Sequence, residues 1–172
     1  YTSPHLKDFR ERIKINGNMI SKRSVINFIK KNKSNFEKIH MSFFELTVAM
    51  AFNYFSEESV DIAVIECGLG GRLDSTNIIL PEISIITNIS LDHTDLLGDT
   101  LEKIAIEKSG IIKKNTPVII GRKQKEIQHI FEQKVSKEKS KIIYAKNFNY
   151  KCDLKGFYQK ENIDTAITTI KN

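Results

Sequence analysis

Three residue types at three places in the chain could do chemistry together. Glu66 stands at the end of the apolar run Ile62-Ala63-Val64-Ile65 and opens Cys67-Gly68-Leu69-Gly70-Gly71-Arg72-Leu73-Asp74. His93 closes a second apolar run inside Asn88-Ile89-Ser90-Leu91-Asp92-His93-Thr94-Asp95. A carboxylate and an imidazole on neighbouring strand ends can converge on a divalent ion, and oxygen-rich surroundings favour Mg²⁺ or Mn²⁺. Glu66 could instead pair with Arg72, and His93 could be an ordinary loop histidine. The third is Lys108. Leu101, Ile104, Ala105 and Lys108 fall at i, i+3, i+4 and i+7, one stripe of a helix. The lysine thus occupies a position where an apolar residue would face a core. Burial favours the neutral, nucleophilic amine, which can take up CO₂ and become an anionic carbamate able to bind a metal. The alternative is a lysine that snorkels to solvent or pairs with a carboxylate.

The elements that must position these residues follow from hydrophobic periodicity. Residues 62–65, 83–89, 118–120 and 141–144 are short continuous apolar runs, as strands covered on both faces would be. Helical spacing separates them at 101–109 and 122–135. Strand, helix, strand, helix predicts an α/β domain with a mainly parallel sheet, whose ligands gather at the carboxyl ends of strands. Ahead of these runs, alternation with Asn16-Gly17 at a turn predicts a small hairpin or extended arm over 9–20. Residues 21–33 show helical spacing with Val25, Ile26 and Ile29 on one side. Ser42 and Glu45 form a capping box, and the apolar run after them to Phe55 predicts a largely buried helix.

Composition excludes several classes. At 172 residues, 40% hydrophobic and 28% charged, the chain fits one globular domain of ordinary size, from residue 1 to 172, without an internal repeat or linker. No apolar run reaches the length of a membrane span, and the N-terminus lacks a signal-peptide core. Two cysteines, Cys67 and Cys152, cannot build a disulfide framework, which favours a reducing, cytoplasmic setting. The net charge of +6 raises the question of nucleic acid, but 22 of the 27 basic residues are lysine and they are scattered, so no nucleic-acid partner is expected. Gly68-Leu69-Gly70 does not complete a dinucleotide fingerprint, because Leu73 stands at the third glycine position and the preceding carboxylate would repel a pyrophosphate.

These residues also carry a resemblance. Tyr1-Thr2-Ser3-Pro4-His5-Leu6 with Arg10-Glu11-Arg12-Ile13 resembles the segment that follows the phosphate loop in folylpolyglutamate synthases and dihydrofolate synthases, of the Mur-ligase superfamily. Glu66-Cys67-Gly68-Leu69-Gly70-Gly71-Arg72-Leu73-Asp74-Ser75-Thr76-Asn77 is similar to their most specific signature. Thr87 to His93 and Ile104 to Ile112 resemble the next two, in the same order. The match covers nearly the whole chain and is weakest between Lys123 and Lys151.

The resemblance implies a three-layer nucleotide-binding domain and an ATP-dependent ligase of folate biosynthesis. Such enzymes phosphorylate a carboxylate, and the amine of L-glutamate then attacks the acyl phosphate to form an amide. It implies that Ser3 and Glu66 hold one Mg²⁺, and that His93 and carbamylated Lys108 serve a second. Phe44 and Asp74 would contact the pterin of dihydropteroate or a reduced folate. As alternatives, Phe44 could be helix core and Asp74 a turn residue. Gln159 and Asn162 would meet the adenine of ATP, although the family more often has His where this chain has Tyr158. The glycine-rich phosphate loop is expected just before Tyr1 and a glutamate-binding domain after the C-terminus. The 172 residues alone are therefore expected to be an inactive, monomeric part of a larger synthase. Two other classes stay open: a metal-dependent phosphohydrolase using Glu66, Asp92 and His93, and a non-catalytic nucleotide-binding or interaction module.

Overall fold

Asn16 and Gly17 both take positive φ, 50° and 82°, which is the backbone of a tight hairpin turn. They join β1 (Lys14–Ile15) to β2 (Asn18–Met19), antiparallel, with Lys14 opposite Met19. The alternating stretch just before the hairpin is not strand. Phe9–Arg12 closes into a 3₁₀ turn, because Asp8 caps it and the Glu11 carboxylate accepts the N–H groups of Leu6, Lys7 and Asp8. The computed structural model describes residues 1–150 and 152–172. It divides into two compact units: residues 1–69 with 74–78, and residues 70–73 with 79–172.

The first unit is built on two helices. α1 (Lys22–Ile39) runs six residues further than its periodicity suggested and starts at Ser21, whose hydroxyl accepts the Ser24 N–H. Phe28, rather than Ile26, is its buried residue, and Ile26 is 51% exposed. α2 (Phe43–Glu57) begins with the expected capping box, Ser42 accepting from Glu45 N–H and the Glu45 carboxylate from Ser42 N–H. Thr47, Val48, Met50, Ala51 and Phe55 are buried along it. They pack with Tyr1, Ile13, Ile20 and Phe28 into one core.

The expected strand at 62–65 is absent, and this corrects the reading above. Among the described residues, the backbone hydrogen bonds that reach it from another segment come from Tyr1, which donates to the Val64 carbonyl (2.8 Å) and accepts from Glu66 N–H (3.0 Å). One residue makes no ladder, and Ile62 and Val64 are 86% and 78% exposed. An apolar run becomes a covered strand only where neighbouring strands exist to cover it.

The second unit carries a three-stranded parallel sheet in the order β3 (Ser84–Ile86), β4 (Val118–Ile120), β5 (Ile142–Tyr144). The register sets Ile86 beside Ile120 and Ile120 beside Tyr144. Central β4 is buried at all three positions, as parallel strands between helices are. α3 (Thr94–Leu97), α4 (Leu101–Ser109), α5 (Gln128–Glu138) and α6 (Gln159–Ile170) complete it. Ile104, Ala105, Ile112, Ile127, Ile130 and Phe131 close its core with the strands. α5 starts six residues later than expected, because the residues after β4 are occupied in backbone and side-chain bonds to the segment after β3. Among the described residues, no helix is long and apolar enough to cross a membrane.

Candidate active site

In the first unit, Ser3 and Glu66 are brought together although 63 positions apart: the Ser3 N–H donates to Glu66 Oε2 at 2.7 Å. Glu66 is exposed, and among the described residues Oε1 accepts no hydrogen bond. An exposed carboxylate oxygen, on a residue bonded to the backbone of a serine, is of the hard-oxygen chemistry that fits Mg²⁺.

Phe44 and Asp74 meet around one glycine. Gly68 lies flat on the Phe44 ring: a Cβ there would come within 2.5 Å of Phe44 Cζ. Tyr1 also meets this ring edge-on, with ring centroids 6.2 Å apart. The N–H groups of Gly68 and Leu69 both donate to Asp74 Oδ2, at 2.9 Å each. Asp74 Oδ1 accepts from the Thr76 N–H (2.9 Å) and hydroxyl. Asp74 is 9% exposed, and four donors satisfy its carboxylate within its own loop. Thr76, 1% exposed, is also in contact with the Cys67 thiol at 3.4 Å.

In the second unit, the remaining part of the glycine loop is bolted to the end of α4. The Arg72 guanidinium straddles Glu107, with Nη2 to Oε1 at 2.9 Å and Nε to Oε1 and Oε2 at 3.1 and 3.2 Å. Arg72 N–H also donates to the Glu107 carbonyl at 2.8 Å. The carboxylate holds the Arg72 guanidinium above its ordinary pKa by this hydrogen bond, with charge attraction adding to it. Gly71 and Gly110 allow the approach. A Cβ on Gly71 would sit 3.0 Å from the Glu107 and Lys108 carbonyls, and one on Gly110 would sit 2.4 Å from Arg72 Cα.

Lys108 is the next residue along α4. The expected stripe is present: Ile104 and Ala105 are fully buried, while Leu101 and Lys108 are half-buried. Among the described residues the Lys108 ammonium joins no ion pair, and the adjacent carboxylate, Glu107, is taken by Arg72. A half-buried amine without a carboxylate partner is the chemistry that carbamylation needs.

His93 ends the segment after β3 in the left-handed region, φ 49° and ψ 42°. Its carbonyl accepts from Leu96 and Leu97 N–H, starting α3, and its side chain is exposed with Nε2 3.8 Å from Asp92 Oδ1. An exposed imidazole beside a carboxylate can still ligate a cation. Of the metal candidates, Ser3 and Glu66 belong to the first unit and His93 and Lys108 to the second. Among the described residues, no three His, Cys, Asp or Glu side chains gather.

Gln159 and Asn162 share the first turn of α6, Asn162 Nδ2 donating to Gln159 Oε1 at 3.2 Å. The helix is held by Glu161, whose carboxylate accepts from Arg122 Nε and Nη2 at 3.0 and 2.6 Å. Sequence reading did not single out Glu107, Arg122, Gln124 or Thr76. Their partners lie 39, 35 and 35 positions away for the first-named long pairs, Arg122–Glu161, Gln124–Ile89 and Arg72–Glu107, distances no local pattern encodes.

Comparison with known proteins agrees with this architecture. Residues 9–171 match the Mur ligase middle domain. The chain is 40% identical over 168 residues to a dihydrofolate synthase/folylpolyglutamate synthase of Buchnera aphidicola from Schizaphis graminum, covering 96% of this chain and 37% of that protein. It superposes on a solved complex of folylpolyglutamate synthase with AMPPCP and folate at TM-score 0.90 and 32% identity, covering 99% of this chain and 50% of the other. It superposes on Escherichia coli FolC with DHPP and ADP at TM-score 0.77 and 31% identity, covering 84% and 34%. The chain therefore spans half or less of the length of these relatives. With a family match running almost end to end and residues 70–72 of the signature held against α4, this chain belongs to the Mur ligase family, as a middle domain of the dihydrofolate synthase and folylpolyglutamate synthase type.

Proposed function

We propose that the chain is the ATP-handling part of a ligase that joins L-glutamate to the carboxylate of dihydropteroate or a reduced folate. ATP phosphorylates that carboxylate, and the glutamate amine displaces phosphate from the acyl phosphate to leave an amide. The observation that carries the reading is Lys108, half-buried on an apolar stripe and in no ion pair among the described residues, next in sequence to a Glu107 held by Arg72.

Ser3 and Glu66 would hold one Mg²⁺, and His93 with carbamylated Lys108 a second. When bound, the ions supply positive charge against the phosphate oxygens. In forming the carbamate, the Lys108 ammonium gives one proton to solvent; the neutral amine attacks CO₂, an N–C bond forms as one C=O π pair moves onto oxygen, and the nitrogen gives a second proton to solvent, so a cation becomes an anion. Phe44 offers its ring to the pterin. Asp74, with its acceptors already filled, contributes by holding the Gly68–Leu69 turn on that ring. Gln159 and Asn162, at the start of α6, face the nucleotide base. The protein works as a monomer in the cytoplasm.

The test is glutamate-dependent ADP release by the full-length gene product. Lys108→Ala should lower kcat by about a hundredfold or more, with partial recovery on adding short-chain carboxylic acids that restore the missing anion. Unchanged turnover in Lys108→Ala would sink the ligase reading.

A further inference from the structure

We propose that Gln124 is a positioning residue for the loop that carries His93, a role that rests on the assignment of His93 to a cation. The parallel ladder of β3 and β4 ends at Ile86 and Ile120. Backbone pairing goes on two steps further: Gly121 N–H donates to the Ile86 carbonyl and Arg122 N–H to the Thr87 carbonyl, both at 2.8 Å. There the chain after β4 turns away, and a side chain takes over. Gln124 Oε1 accepts the Ile89 N–H at 2.8 Å, and Gln124 Nε2 donates to the Ile89 carbonyl at 2.9 Å.

A primary amide has the donor and acceptor of a peptide group, so it extends the ladder by one unit where no backbone is available. Ile89 is 3% exposed and its side chain belongs to the core of the second unit. Without Gln124 both polar groups of its backbone would lose their partners beside an apolar core. The segment is therefore fixed at Ile89 on both sides of the peptide, four residues before the left-handed turn at His93. The turn that supplies Gln124 cannot easily shift, since a Cβ at Gly121 would lie 2.5 Å from the Thr87 carbonyl and 2.6 Å from Thr165 Oγ1. Among the described residues, the Gln124 side-chain amide hydrogen-bonds Ile89 alone. It acts through Ile89 on where His93 stands.

The experiment uses the full-length gene product. Gln124→Leu removes both hydrogen bonds at similar volume, and Gln124→Glu keeps the acceptor for Ile89 N–H while setting a second oxygen against the Ile89 carbonyl. The expected result in Gln124→Leu is a rise of roughly tenfold in the Mn²⁺ dissociation constant, read without turnover from the electron paramagnetic resonance of the free ion, with a parallel rise in the Mg²⁺ concentration needed for half-maximal ATP turnover, the size seen when groups behind a metal ligand are removed. Gln124→Glu should show a smaller rise, and KM for the pteroyl substrate should stay within about twofold in both. Should Gln124→Leu not fold, the rise in Gln124→Glu decides. His93→Ala in the same assay separates the two claims. If His93→Ala leaves the Mg²⁺ requirement unmoved, the cation assignment fails. If His93→Ala moves it while neither Gln124 variant does, or if those variants lose kcat with no change in Mg²⁺ requirement, the positioning role is overturned.

Discussion

Asp74 shows how a single side chain can be read two ways and then be assigned by counting its partners. Its type suits a pterin N–H donor, but its two oxygens accept four hydrogen bonds from Gly68, Leu69 and Thr76. Asp74→Asn puts an NH₂ where an acceptor is required and leaves donors of a buried loop unpaired. A loss of about 1–3 kcal/mol in urea unfolding is expected; a variant as stable as wild type but impaired only in substrate KM would return Asp74 to direct contact. Gly68 depends on the same geometry. Gly68→Ala drives a methyl into the Phe44 ring, 2.5 Å from Cζ, and should cost about 1–3 kcal/mol. A Phe44→Leu background should relieve part of that cost in a double-mutant cycle, since the two changes touch the same contact. Neither interaction is visible as a pattern in sequence; the glycine announces only that something comes close.

Elements were legible where their signals are local. The capping box of Ser42 and Glu45, the Asn16-Gly17 turn and the stripe on α4 depend on residues within one or two helical turns, and all formed. Ser42→Ala should destabilise α2 by about 1 kcal/mol, read as a lower Tm, because one N–H of the first turn loses its acceptor. pH tests the same devices. Hydrogen bonds from Ser42 hold Glu45 below its ordinary pKa of 4.5, and those from Leu6, Asp8 and Lys7 do so for Glu11. A depressed carboxylate stabilises the fold above its unfolded-state value and loses that contribution as pH falls through the folded value. Protection of the Leu6, Lys7 and Ser42 amides, measured relative to their intrinsic exchange rates, should therefore fall as pH drops below 4.5 and stay constant above it. Residues 62–65 failed as a strand for the complementary reason. Their apolar character is a statement about being covered, and among the described residues the backbone hydrogen bonds from another segment come from Tyr1 alone.

On the scale of the molecule, each of the two units owns a core. That of the second depends on β4, which is buried along its whole length. Ile120→Ala, at a position 2% exposed, should cost about 2–5 kcal/mol through lost burial and the cavity left behind, measurable by denaturant unfolding. A cost under about 1 kcal/mol would mean that β4 is not the centre of that core.

By itself the sequence determined the alternation of strand and helix, the caps and turns, the apolar stripe interrupted by Lys108 and the family signature, because these are short-range statements about which side chains follow which. Tertiary structure decided what those side chains hold. It placed Glu66 on the Ser3 backbone, filled Asp74 from its own loop, gave Arg72 to Glu107, and used Gln124 as a substitute peptide for Ile89. Each of these is a contest among donors and acceptors for partners distant in the chain. Such contests are settled by which groups come within bonding distance once the backbone is folded.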